Sequence, residues 1–119
     1  MAKLTLGCFS SLVGSMNTDF ALRLADAVLK KGHKVDIWLS SNGTTWIKKG
    51  QKQFKDYSYI AELLTSLIER GATITACEAC SEARGLGDED SIEGIKRHSM
   101  DWYLASTFDA DRVLHIGGE

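Results

Sequence analysis

The stretch KKGHKVDIWLSSNG (Lys30–Gly43) contains the end of one predicted element, the whole of the next and a turn. Two lysines precede Gly32. This order is typical of a helix C-terminus, where cations interact favourably with the helix dipole and glycine takes the left-handed position after the last turn. Lys34–Leu39 is rich in strand-forming residues and is followed by the turn-forming Ser40–Gly43. The stretch therefore predicts a helix that ends, a strand and a turn.

The same order occurs a second time further along the chain. Glu69 and Arg70 precede Gly71, and the apolar run Ala72–Cys77 follows. Helices that alternate with apolar strands are typical of βαβ units, in which consecutive strands lie parallel. The two occurrences therefore predict parallel strands at Lys34–Leu39 and Ala72–Cys77.

The remaining predicted elements extend this alternation to both ends of the chain. They are a strand at Leu4–Phe9, a polar loop at Ser10–Asn17, a helix capped by Thr18 with an apolar stripe from Phe20 to Leu29, a basic irregular segment at Lys48–Lys55, a helix from about Tyr59 to Arg70, a mixed helical stretch at Ser91–Phe108 and a final strand at Asp111–Ile116. Runs rich in valine, isoleucine and leucine indicate strands that are buried on both faces. We therefore predict one α/β domain over residues 1–119, a Rossmann-like three-layer domain with a mostly parallel sheet covered by helices on both faces.

The composition excludes several classes of function. The chain has 119 residues, 44% of them hydrophobic, which is enough for one ordinary core. Its formal net charge is −2, so no global basic field would attract nucleic acid or an anionic membrane. No apolar run approaches the roughly 18 residues of a transmembrane helix, and the N-terminus lacks the apolar segment of a secretory signal. We therefore expect a cytoplasmic protein with no nucleic-acid or membrane partner.

Three cysteines, Cys8, Cys77 and Cys80, carry the clearest chemistry in the sequence. Three is an odd number and far below the density of a disulfide scaffold, so we interpret them as reduced thiols. In parallel sheets, functional groups collect at the carboxyl ends of the strands. Cys8 lies near the end of the first predicted strand, Cys77 ends the third and Cys80 lies one turn further, so all three thiols could face the same edge of the sheet. A buried cysteine at a strand end most often serves packing, which is the competing interpretation for Cys8.

The spacing of Cys77 and Cys80 forms a CxxC motif with several interpretations. A thioredoxin-like dithiol relies on a proline that faces the motif, and the chain contains no proline. A structural zinc site needs four ligands, and no second pair of ligands accompanies the motif, so we predict no metal. Nucleophilic thiolate chemistry is favoured by Arg84 and a helix start, and it is opposed by Glu78 and Glu82. Packing and redox chemistry stay open as alternatives.

The motif and its surroundings resemble the DsrE/DsrF-like family of sulfur-relay proteins. The similarity runs over essentially the whole chain and includes Lys30–Gly43, ITACEACSEARGL (Ile74–Leu86) and DADRVLHIG (Asp109–Gly117). The most specific element is a cysteine that ends the third strand, with Arg-Gly seven and eight positions later. Cys77, Arg84 and Gly85 have this spacing.

This resemblance implies a function as well as a fold. The family cysteine at the place of Cys77 carries sulfur as a persulfide, so the resemblance implies this role for Cys77. Arg84 and Gly85 are supporting residues by the spacing of the family motif, and Cys8 is a supporting residue by its place at a strand end. We interpret Cys80 as a resolving thiol or an intramolecular acceptor. The resemblance also implies sulfur donor and acceptor proteins or small persulfides as partners, homo- or hetero-oligomers such as trimers or hexamers, and no cofactor. A non-catalytic oligomeric binding subunit of the same fold and a CxxC redox protein are the competing hypotheses.

Other features of the sequence point to binding or to structure. The four lysines of Lys48–Lys55 form either a solvated loop or a docking patch for an acidic partner. Gly14 suggests a tight turn, because no glycine-rich phosphate-binding motif surrounds it. We expect His98 to be an exposed helical residue and His115 to be a structural residue of the last strand.

Overall fold

A single sheet of five parallel strands lies at the centre of the computed structural model, which describes residues 1–13, 15–55 and 60–118. The strands are β1 (Lys3–Cys8), β2 (Lys34–Leu39), β3 (Thr73–Cys77), β4 (Lys96–His98) and β5 (Arg112–Ile116). They lie in the order β4-β3-β2-β1-β5, and every neighbouring pair runs parallel. The predicted α/β fold with a mostly parallel sheet is therefore confirmed.

Four α-helices alternate with the strands in the described residues. They are α1 (Met16–Lys30), α2 (Ala61–Glu69), α3 (Glu78–Ala83) and α4 (Met100–Asp109). Two 3₁₀ turns accompany them: Asp88–Asp90, and Ser41–Ile47, which is named the cap segment from here on. None of the helices within these described ranges is long and apolar enough to cross a membrane.

The repeated helix–glycine–strand order is present as predicted. α1 ends at Lys30, and the chain turns through Gly32, whose φ of 84° lies in the left-handed region. α2 ends at Glu69, and Gly71, with a φ of 103°, makes the same kind of turn. Glycine takes this conformation without the steric cost of a side chain, so each helix can lead directly into the next strand.

Helices cover both faces of the sheet, which confirms the three-layer architecture. On one face, α1 and α2 bury a core that includes Leu22, Leu64 and Ile37. On the other face lies α4, where the ring of Tyr103 stacks on that of Trp38 with 5.5 Å between centroids. Because successive residues of a strand point to opposite faces, Ile37 and Trp38 of β2 contribute to different layers.

The start of α1 differs from the prediction. The helix begins one residue after Ser15, whose side chain accepts hydrogen bonds from the N–H groups of Asn17 and Thr18 and so forms the N-cap. Thr18, the predicted cap, is buried in the first turn, where its hydroxyl donates to the Ser11 carbonyl at 2.6 Å. Phe20, predicted in the buried stripe, lies on the solvent side of the helix and is 56% exposed.

The stretch Ser91–Phe108, predicted to be mixed helical, contains a strand as well as a helix. β4 has only three residues, KRH, and pairs with β3 at one edge of the sheet. So short and polar a strand has no alternating apolar pattern, and the periodicity therefore did not indicate it. The helix α4 follows from Met100. Two predicted features, the turn at Gly14 and the helix start at Tyr59, lie outside the described residues.

Candidate functional site

The carboxyl ends of β1, β2 and β3 meet at one edge of the sheet. Cys8 pairs in register with Leu39, and Leu39 pairs with Ala76, so the ends of the three strands lie side by side. β3 leads into α3 without a linker, because Cys77 is both the last residue of the strand and the N-cap of the helix. The CxxC motif therefore lies at the edge where parallel sheets place functional groups.

Cys77 is half-buried at the start of α3. Its Sγ accepts a hydrogen bond from the Cys80 N–H at 3.5 Å, and its carbonyl accepts one from the Ser81 hydroxyl at 2.7 Å. Burial raises the pKa of the Cys77 thiol, and the N–H groups of Cys80 and Ala79 offset this only in part. Cys77 is therefore well positioned, but it is a protonated thiol near neutral pH.

Cys80 lies one helical turn later and contacts the cap segment and the residue before it. Its Sγ is 3.7 Å from the Ser40 hydroxyl and accepts a hydrogen bond from the Ser41 N–H. Burial acts to raise the pKa of Cys80, but these two hydrogen bonds, a bond from the Cys77 thiol and the charge of Arg84 together lower the pKa below its usual value. Of the two thiols, Cys80 therefore loses its proton first.

Arg84 and Gly85 hold α3 against the cap segment. The Arg84 guanidinium donates to the Cys80 carbonyl and to the side-chain oxygen of Asn42, both at 3.1 Å, and so joins the two elements. Gly85 adopts a left-handed φ of 70° and ends the helix, after which Leu86 returns to the core. The Arg-Gly pair is therefore part of the structure that surrounds Cys80.

The cap segment is anchored to the end of β1. The Ser40 N–H, just before the segment, donates to the Cys8 carbonyl at 3.1 Å. Gly43 packs so closely on that same carbonyl that a Cβ there would overlap with the oxygen. Trp46 is fully buried, and its Nε1 donates to the Ser10 carbonyl at 2.8 Å. These contacts fix the cap segment above the CxxC motif.

The structure brings Cys77, Cys80, Arg84 and Gly85 together, but not the thiol of Cys8. Cys8 belongs to the core cluster beneath α1 and α2 and is 1% exposed. Burial raises the pKa of its thiol to about 12. β2 lies between β1 and β3, and the contact of Cys8 with the residues around the motif is made by its carbonyl, which accepts from the Ser40 N–H. Packing is thus the interpretation that the geometry favours for this side chain.

We expect iodoacetamide to modify Cys80 and to spare Cys8 in the folded protein at about pH 8, because alkylation requires an accessible thiolate. Peptide mass spectrometry would measure both modifications over time. The same reaction in concentrated urea serves as the control, since unfolding exposes every cysteine. Modification of Cys8 in the folded protein as fast as that of Cys80 would contradict its buried position.

One of the two histidines considered in the sequence analysis lies beside the thiol pair, and the other lies in a different layer. His98, predicted on a helix, lies in β4 beside Cys77 and stacks on Trp102 at 6.4 Å between ring centroids. His115 lies 2.9 Å through its Nε2 from the Tyr103 hydroxyl, within the layer under α4. Among the described residues, no three His, Cys, Asp or Glu side chains are grouped so that they could hold a metal ion.

Arg97 of β4 is a second cation near α3, and the sequence analysis missed it. Its side chain is 10% exposed and forms ion pairs with Glu82 at 2.8 Å and with Asp88 at 3.1 Å. It also donates to the Glu78 carbonyl at 3.4 Å. Arg97 therefore ties the edge strand to α3, and it neutralises one of the two glutamates that were expected to oppose a thiolate.

Ser40 and Ser41 were predicted as turn residues only, and their contact with Cys80 was missed. The available signal was their position, because both follow the predicted second strand directly and so lie at the functional edge. Ser41 also adopts a left-handed φ of 54°, which residues other than glycine rarely do. Such strained backbone is concentrated at functional sites in proteins.

The basic segment of Lys48–Lys55 contacts the acidic turn that follows α3. The Lys49 N–H donates to the Asp90 carbonyl at 2.8 Å, and the Lys48 ammonium lies 4.0 Å from the Asp90 carboxylate. Lys48 and Ser91 also form an isolated antiparallel bridge. One lysine is thus partly neutralised within the chain, and docking of an acidic partner to this segment stays a prediction.

Comparison with known proteins identifies the family of the chain. The sequence profile of the DsrE/DsrF-like family matches residues 5–116. Uncharacterized protein MK0008 of Methanopyrus kandleri is 40% identical over 94 residues, which make up 79% of this chain and 77% of that protein. Protein YchN of Escherichia coli is 27% identical over 116 residues, 96% of this chain and 98% of YchN. The chain belongs to the DsrE/DsrF-like family, a family of sulfur-relay proteins.

Solved structures agree with this assignment. The crystal structure of YchN from Escherichia coli matches with a TM-score of 0.89 at 25% identity, covering 97% of this chain and 99% of YchN. Protein MTH1491 from Methanobacterium thermoautotrophicum matches with a TM-score of 0.78 at 12% identity, covering 96% of this chain and 99% of MTH1491. The second likeness concerns the fold alone.

Proposed function

We propose that the chain is a sulfur carrier, a persulfide sulfurtransferase that relays sulfane sulfur on Cys77 between donor and acceptor thiols. The observation that carries this proposal is the placement of two half-buried thiols side by side at the carboxyl edge of the sheet. One of them, Cys80, has a lowered pKa, and the Arg84–Gly85 pair completes the site at the spacing of the family motif. Family membership supports the class of chemistry, and the geometry supports the roles of these residues.

The proposed relay consists of two thiol exchanges. The Cys77 thiolate attacks the outer sulfur of a donor persulfide, R–S–SH; the S–S bond breaks, R–S⁻ leaves, and Cys77–S–SH forms. An acceptor thiolate, R′–S⁻, then attacks the outer sulfur of Cys77–S–SH and releases the Cys77 thiolate. The N–H groups of Cys80 and Ala79, which bond to Cys77 Sγ, stabilise the charge on that sulfur in both steps.

In this proposal the supporting residues hold the two thiols and the cap segment in place. Arg84 joins α3 to the cap segment, Gly85 permits the turn that ends α3, and the Cys8 carbonyl anchors Ser40. None of them exchanges sulfur. The donor and acceptor would be cytoplasmic proteins or small persulfides. A single domain over residues 1–119 would bind both.

An exposed apolar row on α4 supports assembly into an oligomer, such as a trimer or hexamer. Met100, Leu104 and Phe108 lie four residues apart and are 50%, 51% and 89% exposed. Residues at this spacing lie on one side of a helix, so the row forms a continuous surface. Large apolar groups that water would otherwise contact are typical of protein interfaces.

Incubation with glutathione persulfide tests the proposal. We expect the wild-type chain to gain about 32 Da, the mass of one sulfur atom, and peptide mapping to place that atom on Cys77. The Cys8→Ala variant is the matched control and should load equally, because its thiol is buried away from the site. Absence of an adduct on any cysteine would leave the non-catalytic binding subunit as the better description. Reversible closure of a Cys77–Cys80 disulfide without sulfur loading would favour the redox protein.

A further inference from the structure

The two thiols of the CxxC motif have unequal surroundings, and the difference lies in the cap segment and the residue before it. Cys80 Sγ is close to the Ser40 hydroxyl at 3.7 Å, accepts from the Ser41 N–H, and lies near the Arg84 guanidinium. Cys77 Sγ has backbone N–H groups of its own helix and the Cys80 sulfur beside it. Donors from two separate parts of the chain therefore converge on Cys80.

The conformation of Ser41 is part of this arrangement. Its φ of 54° is left-handed, and the turn that follows is held by the Gly43 N–H, which donates to the Ser40 carbonyl at 2.9 Å. A left-handed residue costs free energy unless surrounding contacts impose it. Ser41, the strained residue, is also the residue whose N–H donates to Cys80. The surrounding fold therefore holds Ser41 in a costly conformation that places a hydrogen-bond donor at this sulfur.

We propose that Cys80 is the resting thiolate of the pair, and that it takes the proton of Cys77 when Cys77 attacks the donor and returns it when the sulfur is delivered. This inference rests on the proposed function and assigns the second cysteine a catalytic role in it. The Cys77 thiol hydrogen-bonds to the Cys80 sulfur, so the two groups titrate as a pair and share one proton over an interval of pH. Within that interval the carrier thiol is activated without a separate base.

The proposed steps balance in atoms and charge. In loading, Cys80–S⁻, Cys77–SH and R–S–SH become Cys80–SH, Cys77–S–SH and R–S⁻. In delivery, R′–S⁻ attacks the outer sulfur, and Cys80–SH protonates the departing Cys77 thiolate, which restores the starting pair and leaves R′–S–SH. No oxidant or reductant is consumed.

Within the described residues, few charged side chains lie on the elements that surround the pair. α3 carries Glu78, Glu82 and Arg84, and β4, which pairs with β3, carries Lys96, Arg97 and His98. β3 and the cap segment have no charged side chain. Arg97 forms an ion pair with Glu82, and Arg84 is joined to the cap segment through Asn42. Because His98 pairs in register with Cys77, His98→Gln is included as a control.

The test is the rate at which Cys77 is loaded by glutathione persulfide between about pH 5.5 and pH 9, measured by rapid quench and peptide mass spectrometry. In the wild type, loading should slow as the pH falls through the lowered pKa of Cys80. In Cys80→Ser, which keeps a hydroxyl but cannot ionise in this range, the profile should follow the ionisation of Cys77 alone, whose pKa is raised by burial. We expect this variant to load about tenfold more slowly at the acid end, and the difference from the wild type should narrow as the pH rises.

Variants of the arginine provide an independent readout. Arg84→Met should move the wild-type profile toward that of Cys80→Ser, and Arg84→Lys should restore most of it by keeping the charge. Arg23→Met is the matched control, because Arg23 is an exposed residue of α1 paired with Asp19. His98→Gln should leave the difference between wild type and Cys80→Ser in place. Circular dichroism would verify that each variant is folded.

Two results would overturn the inference. One is an identical pH profile for the wild type and Cys80→Ser. The other is loading of Cys80 in Cys77→Ala at the wild-type rate, because Cys80 would then be the nucleophile and not the proton acceptor. The rate at which iodoacetamide alkylates Cys77, measured over the same pH range, reports the ionisation of Cys77 and needs no sulfur donor. If no variant were loaded with sulfur, the proposed function would be refuted. The pH profile of alkylation would still test whether Cys77 and Cys80 share a proton.

Discussion

Replacement of Cys77 by alanine is expected to slow delivery of sulfur to an acceptor thiol by at least about a hundredfold, because the variant lacks the attacking and leaving sulfur of both exchanges. Cys80 remains, but its sulfur is engaged by Ser40 and by the Ser41 N–H. A thiolate of low pKa is also a weaker nucleophile. Transfer from glutathione persulfide to a fluorescent thiol, followed over time, would measure the effect.

The matched control for this result is the Cys8→Ala variant. It removes a thiol of the same kind, at the same edge of the sheet, but one that is buried in the core. We expect its transfer rate to equal that of the wild type once loss of stability has been accounted for. A Cys77→Ala variant that delivers sulfur as fast as Cys8→Ala would contradict the assignment of Cys77 as the carrier.

Replacement of Gly43 by alanine is expected to lower the free energy of unfolding by about 3 kcal/mol, the upper end of the usual cost of overpacking. The added Cβ would overlap with the carbonyl oxygen of Cys8, and both partners are backbone, so no flexible side chain can move aside. The cap segment must shift, which weakens the bond between the Ser40 N–H and the Cys8 carbonyl. Urea unfolding monitored by circular dichroism would measure the loss.

Reactivity separates this effect from a general loss of stability. The shift in Gly43→Ala should also draw the Ser41 N–H away from Cys80, so alkylation of Cys80 near neutral pH should become slower. Gly50→Ala is the control: its φ of 84° makes alanine unfavourable, but no atom lies within 4 Å of the added Cβ. That variant should lose about 1 kcal/mol through backbone strain and keep the reactivity of Cys80. Equal reactivity in the two variants would disprove the link between Gly43 and the thiol.

The fold was predictable because its central elements repeat one local pattern. β2 occupies Lys34–Leu39 as predicted, since a buried strand between a helix-ending glycine and a turn leaves little freedom in its bounds. β4 was not predictable in the same way. Its residues are charged, it pairs with only one neighbour, and its existence depends on β3 already being in place.

The candidate site was predictable where its residues are close in sequence. Cys77, Cys80, Arg84 and Gly85 lie within one strand end and one short helix, so their spacing was enough to place them together. The contact of Ser40 with Cys80 joins residues that are 40 positions apart, and no side-chain pattern indicates it. The thiol of Cys8 illustrates the opposite case, because its burial depends on the face of β1 and not on its place at the strand end.

The hydrogen-bond donor that Ser41 offers to Cys80 belongs to the main chain. Every amino acid except proline has this group, so a relative could carry a different residue at position 41 and still stabilise the thiolate, provided that its backbone takes the same left-handed turn. Position 43 has no such freedom, because glycine alone fits against the Cys8 carbonyl. Related chains whose second cysteine has the proposed role should therefore carry a glycine at the place of Gly43, after the second strand. This glycine lies far in sequence from the cysteine whose surroundings it helps to fix.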